Sequence, residues 1–209
     1  MNEQQTFWAG EFGSTFDNKS DRRIWEINTN TEFMPLVGSF FSLIAEQASI
    51  IDYGCGDGVM IDILKYLGFK NITGVEINKD KIEYLKKRYK GEYTFIHSSI
   101  EDCEAKKFDV SIHSGLLIHI NPTGLDSVMK KIYDNTNQYI FGVEVSTPHP
   151  EDLGDLTEEW QGKLWSRRWV KKWQNLYPDL ELVKHKLIHS RVENQAETEV
   201  FLLRKKKDI

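Results

Sequence analysis

Polar and apolar positions follow two rhythms along this chain. Short runs rich in β-branched residues, at Ser49–Tyr53, Ile72–Glu76, Thr94–Ile96, Asp109–His113 and Gln138–Val145, have strand length, and the apolar alternation of Asp109–His113 suits a buried strand. Between them, helical spacing covers Glu32–Gln47, Val59–Leu67, Lys79–Lys90 and Thr123–Asp134. A polar loop with Pro148 and Pro150 then leads into a tryptophan-rich stretch, Glu158–Leu176, which predicts a further helix. Two last strands, Leu180–Ser190 and Thr198–Arg204, are separated by a short polar loop that permits antiparallel pairing. Right-handed crossovers turn the strand–helix alternation into a mostly parallel seven-stranded α/β sheet with helices on both faces and a C-terminal antiparallel hairpin.

Length and charge narrow the picture. A chain of 209 residues has room for one substantial domain. We assign it to residues 30–209, with residues 1–29 as an N-terminal lid or helical extension. No segment approaches the roughly 18 consecutive apolar residues of a membrane span. The first twenty residues mix Glu3, Glu11 and Asp17 with aromatics, unlike a secretory signal. A cytoplasmic location without membrane contact is expected. The net charge of −5 disfavours nucleic acid. The lysines of Lys79–Lys90 read as a solvated helix face, and Arg204–Lys207 as a basic chain end. Cys55 and Cys103 are expected as reduced thiols, and no metal site is expected. Oligomeric state is not legible.

Candidate chemistry begins where the first strand meets the next helix, at Asp52-Tyr53-Gly54-Cys55-Gly56-Asp57-Gly58. Such strand ends bind nucleotides in wound sheets, and the three glycines allow a sharp turn and close backbone approach. A dinucleotide loop would read G-x-G-x-x-G, but its sixth position here is Val59, and the lysine of a phosphate-binding P-loop is also missing. Asp52 at the strand tip suits a ligand ammonium better than a pyrophosphate. Glu76, ending the second strand, is placed to accept both hydroxyls of a ribose. Taken alone, that feature fits NAD as well as S-adenosylmethionine. In the third loop, Ile100 is placed against an adenine face, with Ser99 or local backbone at the adenine edge.

Asp52–Gly58, Glu76 and the Ser99 loop resemble the successive motifs of class I S-adenosylmethionine-dependent methyltransferases, over about residues 30–204. The resemblance implies the Rossmann-like fold of that class and S-adenosylmethionine as cofactor. It implies donor contacts at Asp52, Tyr53, Gly54, Cys55 and Gly56, at Glu76 and Ile77, and at Ser99, Ile100 and Ser114. More narrowly, Phe7–Gly13 (FWAGEFG), Gly115–Pro122 (GLLIHINP) and Tyr177–Leu180 (YPDL) look like the pseudaminic acid biosynthesis-associated methylases. This implies a small-molecule acceptor, a nonulosonic acid or related surface-sugar precursor. Thr15–Arg23 is unusually polar for that family.

Methyl transfer is an in-line displacement, so the protein chiefly supplies alignment; a hydroxyl acceptor also needs a base. His119, after the fourth strand, is the expected catalytic base, set against a role in satisfying local backbone. His113 reads as core or positional, and Glu144 and His149 stand on the same rim as alternatives. Trp8, Phe12, Glu144 and Arg167 are assigned to the substrate, with Trp8 and Phe12 as a lid or, alternatively, a hydrophobic staple. Trp160, Trp165, Trp169 and Trp173 recur at about a helical turn. That spacing fits packing onto the sheet better than a carbohydrate-stacking wall. Arg167 and Arg168 fit a carboxylate or surface pairing equally well. A catalytically silent donor-binding subunit and an NAD-dependent oxidoreductase stand as the alternatives.

Overall fold

A computed structural model describes residues 1–10, 13, 33–104, 106–146, 165–188 and 197–206. Seven strands form one mostly parallel sheet in the order β3-β2-β1-β4-β5-β7-β6, with helices on both sides. The chain divides into two compact units, residues 1–103 and 104–209.

In the first unit, helix α1 (Glu3–Ala9) begins with a reciprocal cap. The Asn2 side chain accepts from Gln5 N, and the Gln5 side chain accepts from Asn2 N. Helix α2 (Phe33–Phe41) stops short of the expected Gln47. Ser39 and Ser42 bond back to the carbonyls three residues earlier, and the chain then breaks into turns closed by Ile44 N to Phe41 O and Ala48 N to Ala45 O. Strand β1 (Ile50–Tyr53), α3 (Val59–Tyr66), β2 (Ile72–Glu76), α4 (Lys79–Tyr89) and β3 (Thr94–His97) follow within a residue or two of the periodicity. β1 pairs in parallel with β2, and β2 with β3. Ile50, Ile51, Tyr53, Ile61, Leu64 and Leu85 form the water-free centre.

In the second unit, β4 (Phe108–Ser114) is followed by a 3₁₀ turn over Leu117–His119, then α5 (Pro122–Asp134) and β5 (Thr136–Ser146). Asn121 caps α5 and Pro122 occupies its first turn, where a missing N–H costs nothing. Helix α6 spans Trp169–Leu176, and Trp165–Arg168 lie outside it, so the expected tryptophan helix starts later. Its residues 158–164 lie outside the described residues. Strands β6 (Leu180–Ile188) and β7 (Glu197–Lys205) pair antiparallel, as does β5 with β7.

Thus the last strand of the chain inserts between β5 and β6, and β6 takes the edge. Side-chain character explains this order. Val200-Phe201-Leu202-Leu203 is a continuous buried run suited to a strand covered on both faces, whereas β6 exposes Glu181, His185 and Lys186 as edge strands do. Phe201 seats on Gly142 of β5, where an added Cβ would lie 2.1 Å from the ring.

Candidate functional site

At the end of β1 the chain turns back toward β2, with the amides of Gly54 and Cys55 both donating to Val75 O at 2.8 and 3.0 Å. Gly54, Gly56 and Gly58 have φ of 68°, 50° and 85°, the left-handed region that glycine adopts without strain. At Gly58 even space forbids a side chain, since a Cβ would meet Leu85 Cδ2 at 2.8 Å. Gly58 also heads α3. The loop is therefore a backbone surface leading into a helix N-terminus, as its glycine spacing predicts.

Two carboxylates back this loop. Glu76 Oε2 accepts from Gly56 N at 3.0 Å and Oε1 from Asn78 N at 2.8 Å, so one side chain spans the glycine loop and the turn after β2. Asp52 is buried, and burial first, then the charge of Glu76, push its carboxyl up to about 8. An arriving ammonium would favour the ionised form and offset both effects. Lys81, itself buried, pairs with Asp57 of the loop at 3.8 Å.

The neighbouring side chains divide by role. Tyr53 is fully buried in the core. The Cys55 thiol lies over Gly74, where a Cβ would come within 2.8 Å of Sγ. Burial, reinforced by Asp52 and Glu76, raises that thiol well above its usual range, so it stays protonated. Any ligand contact from these two residues falls to their backbone. Ile77 is half-buried, and its carbonyl accepts from His97 Nε2 at 3.0 Å. Ile100 is buried. The Ser99 hydroxyl donates to Asp102 Oδ2 at 2.8 Å and accepts from Asp102 N at 3.1 Å, closing its own loop and keeping one acceptor lone pair.

Asn78 escaped the sequence reading. Its Oδ1 accepts from Asp80 N and Lys81 N at the head of α4, while Nδ2 reaches the carbonyls of Trp8, Ala9 and Gly10 at 3.2, 3.4 and 3.2 Å. An Asn just ahead of a helical run is a legible cap signal, but the second contact is not local in sequence. Trp8 is half-buried and packs edge-on against Phe7 at 5.2 Å. Phe12 lies outside the described residues.

In the second unit the expected acceptor rim is rearranged. Glu144 is buried rather than facing a substrate. Its Oε1 accepts from His113 Nδ1 at 2.8 Å and from the amides of Leu116 and Leu117 at 3.1 and 3.0 Å, with Ile118 N at 3.4 Å from Oε2. Four donors consume this carboxylate, which makes it the anchor of the loop leading into His119. Oε1 being an acceptor, His113 carries its proton on Nδ1. The ring stacks on Trp173 at 5.8 Å and leans on Phe201 at 5.7 Å, in keeping with a core role.

His119 closes the 3₁₀ turn, half-buried, with its amide bonded to Leu116 O at 2.9 Å. Ser114 is half-buried at the end of β4, followed by Gly115 at φ 59°. Trp165 N donates to Ile118 O at 2.6 Å, which brings the 165–168 segment alongside this turn. Arg167 is mostly buried with its guanidinium 5.7 Å from the Trp169 ring. Trp165, Trp169 and Trp173 are all buried, so they pack the core and offer no sugar-stacking wall. His149 and Trp160 lie outside the described residues.

Residues 50–138 match the family model described as a methyltransferase domain. The solved structure of 1,6-didemethyltoxoflavin-N1-methyltransferase from Burkholderia thailandensis, with bound 1,6-didemethyltoxoflavin and S-adenosylhomocysteine, superposes with a TM-score of 0.71 at 16% identity, covering 94% of this chain and 86% of that one. Magnesium protoporphyrin IX methyltransferase from Synechocystis PCC 6803, with bound S-adenosylmethionine, gives a TM-score of 0.72 at 12% identity over 99% of both chains. In sequence, ribosomal protein L11 methyltransferase of Burkholderia thailandensis is 30% identical over 67 residues, 31% of this chain; the chain spans 22% of that relative's length. The fold is that of the Rossmann-like class I methyltransferases, and the family match lies within it, over residues 50–138.

Among the described residues no helix is long and apolar enough to cross a membrane.

Proposed function

We propose that this protein is an S-adenosylmethionine-dependent methyltransferase whose acceptor is a small molecule, specifically a nonulosonic acid or related surface-sugar precursor. The observation that carries the donor assignment is the pair of carboxylates under a three-glycine loop. Asp52, held near 8 by burial and Glu76, is a buried acid whose ionised form a cationic ligand stabilises. Glu76, already fixed by Gly56 N and Asn78 N, has lone pairs left for a ribose diol. Ile100 offers an apolar contact to adenine, and backbone around Ser99 its edge. When bound, the donor supplies a methyl group activated on a sulfonium.

The chain's own residues then orient and desolvate. Asp52 takes the ligand ammonium, and the glycine loop lets backbone approach closely. His119, as neutral imidazole, takes the acceptor's proton on a ring nitrogen, while Glu144 holds the preceding amides in place. The N-terminal extension ahead of the domain at 30–209 acts as a lid through its described helix α1. A cytoplasmic setting suits the two cysteines, both buried and expected to be reduced. The acceptor class rests on the FWAGEFG, GLLIHINP and YPDL strings and on the small-molecule acceptors of the two structural neighbours. Labelled S-adenosylmethionine incubated with a panel of nonulosonic acids, nucleotide-linked sugars and small amines tests the reading. Transfer to the sugar acids supports it. Transfer only to another class overturns the acceptor assignment, and failure to bind donor or S-adenosylhomocysteine overturns the whole.

A further inference from the structure

Helix α1 has seven residues, too short to persist alone in water, so contacts beyond the helix must hold it. Asn78 supplies such a contact. A single buried side-chain amide faces the carbonyls of Trp8, Ala9 and Gly10, while the same side chain's oxygen caps α4. Asn78 thus ends one helix and starts another. Gly13 supports the same junction. An added Cβ there would fall 1.8 Å from Trp8 O and 3.2 Å from Asn78 Nδ2, so only glycine lets the chain close against the turn.

The junction adjoins the carboxylate assigned to the ribose, because Asn78 N donates to Glu76 Oε1. We propose that Asn78 is the positioning residue that fastens α1 beside Glu76 as a cover for the donor, so that docking of α1 and residence of the bound nucleoside rise and fall together. This rests on the donor reading above. A ligand hydroxyl on Glu76 stiffens the Glu76–Asn78 turn, and the turn presents the amide that holds α1. The FWAGEFG string then has a physical reason: it supplies three carbonyls and a side-chain-free residue to one asparagine.

The test separates the two functions of Asn78. Asn78→Asp keeps an oxygen to cap α4, since Asp caps as well as Asn, but removes the donor and sets a carboxylate against three carbonyls. Gly13→Ala disturbs the same junction without changing charge or the α4 cap. Hydrogen exchange over residues 3–10 and the dissociation rate of S-adenosylhomocysteine are measured on the full chain for the wild type, both variants and the double variant. We expect protection of residues 3–10 to be lost in each variant. S-adenosylhomocysteine should leave about tenfold faster, the equivalent of one hydrogen bond, and the double variant should be no worse than either single. Far-ultraviolet dichroism and melting temperature should stay near wild type for Asn78→Asp.

Unchanged protection in Asn78→Asp overturns the clasp. Lost protection with unchanged dissociation overturns the cover. Additive effects in the double variant place Gly13 and Asn78 in separate devices and overturn the shared junction. If the wild type binds no S-adenosylhomocysteine, the donor reading and the cover fall together, while exchange in the unliganded protein still decides the clasp.

Discussion

His113 donates from Nδ1 to Glu144 Oε1 across 2.8 Å, and neither side chain has any exposure to solvent. The pair joins two neighbouring parallel strands, β4 and β5, and Glu144 carries on to the amides of Leu116, Leu117 and Ile118. A residue placed so deeply acts through the backbone of the Leu116–Ile118 turn. Glu144→Ala would leave the buried His113 N–H and the Leu117 and Ile118 amides without their acceptor. Breaking a buried network by removing one partner costs about 3–5 kcal/mol, the loss expected in urea denaturation. Glu144→Gln, which still offers an acceptor oxygen, should lose less. A loss below about 1 kcal/mol in the alanine variant would contradict the anchoring role.

His119 is argued to act kinetically. As general base it should contribute roughly 10²–10⁴-fold to the chemical step and little to donor affinity. Single-turnover transfer to a verified acceptor, compared for the wild type, His119→Ala and His119→Asn across about pH 6–9, is the measurement. Variants that keep the wild-type rate and pH profile would leave alignment as the whole of catalysis.

Asp52 makes the protein sensitive to pH in a definite direction. Burial and Glu76 push its folded-state carboxyl up to about 8 from an ordinary 3.8, so between those values the folded protein holds a proton the unfolded chain has released. Stability of the unliganded protein should therefore fall as pH rises through that window. Asp52→Asn should flatten the slope. Pairing with a ligand ammonium favours the ionised carboxylate, so donor binding near pH 7 should release close to one proton. Calorimetry in buffers of different ionisation heat measures this, and the asparagine variant should release none from this site.

Glu76→Ala should weaken donor binding by about 1–3 kcal/mol through loss of hydrogen bonds to a charged acceptor. The amides of Gly56 and Asn78 also lose their partner, so the loop should loosen while the sheet survives. Titration with S-adenosylhomocysteine, alongside dichroism to verify folding, checks it. Unchanged affinity in a folded variant would reduce Glu76 to a loop clip.

Gly142→Ala tests the inserted strand. Its Cβ would fall 2.1 Å from Phe201 Cζ, so β5 or the ring must move, at about 1–3 kcal/mol. A lowered melting temperature is expected, with Phe201→Leu in the same chain recovering part of it.

Local patterns in the chain were enough to define the strands, the crossovers and the glycine loop. Periodicity and glycine φ requirements act within a few neighbours, which is why the turn at Gly54, Gly56 and Gly58 and the strand-end places of Asp52 and Glu76 could be read directly. Helix ends were less legible where side chains compete with the ladder, as Ser39 and Ser42 do at the end of α2. Burial and pairing over long separations belong to the tertiary structure alone. It decided that β7 enters between β5 and β6 and that Glu144 is held by His113 and the amides of Leu116, Leu117 and Ile118. It also joined Asn78 to the carbonyl of Trp8, seventy residues away in the chain. A polar side chain's role depends on which donors reach it once water is gone, and that is settled only when distant segments pack.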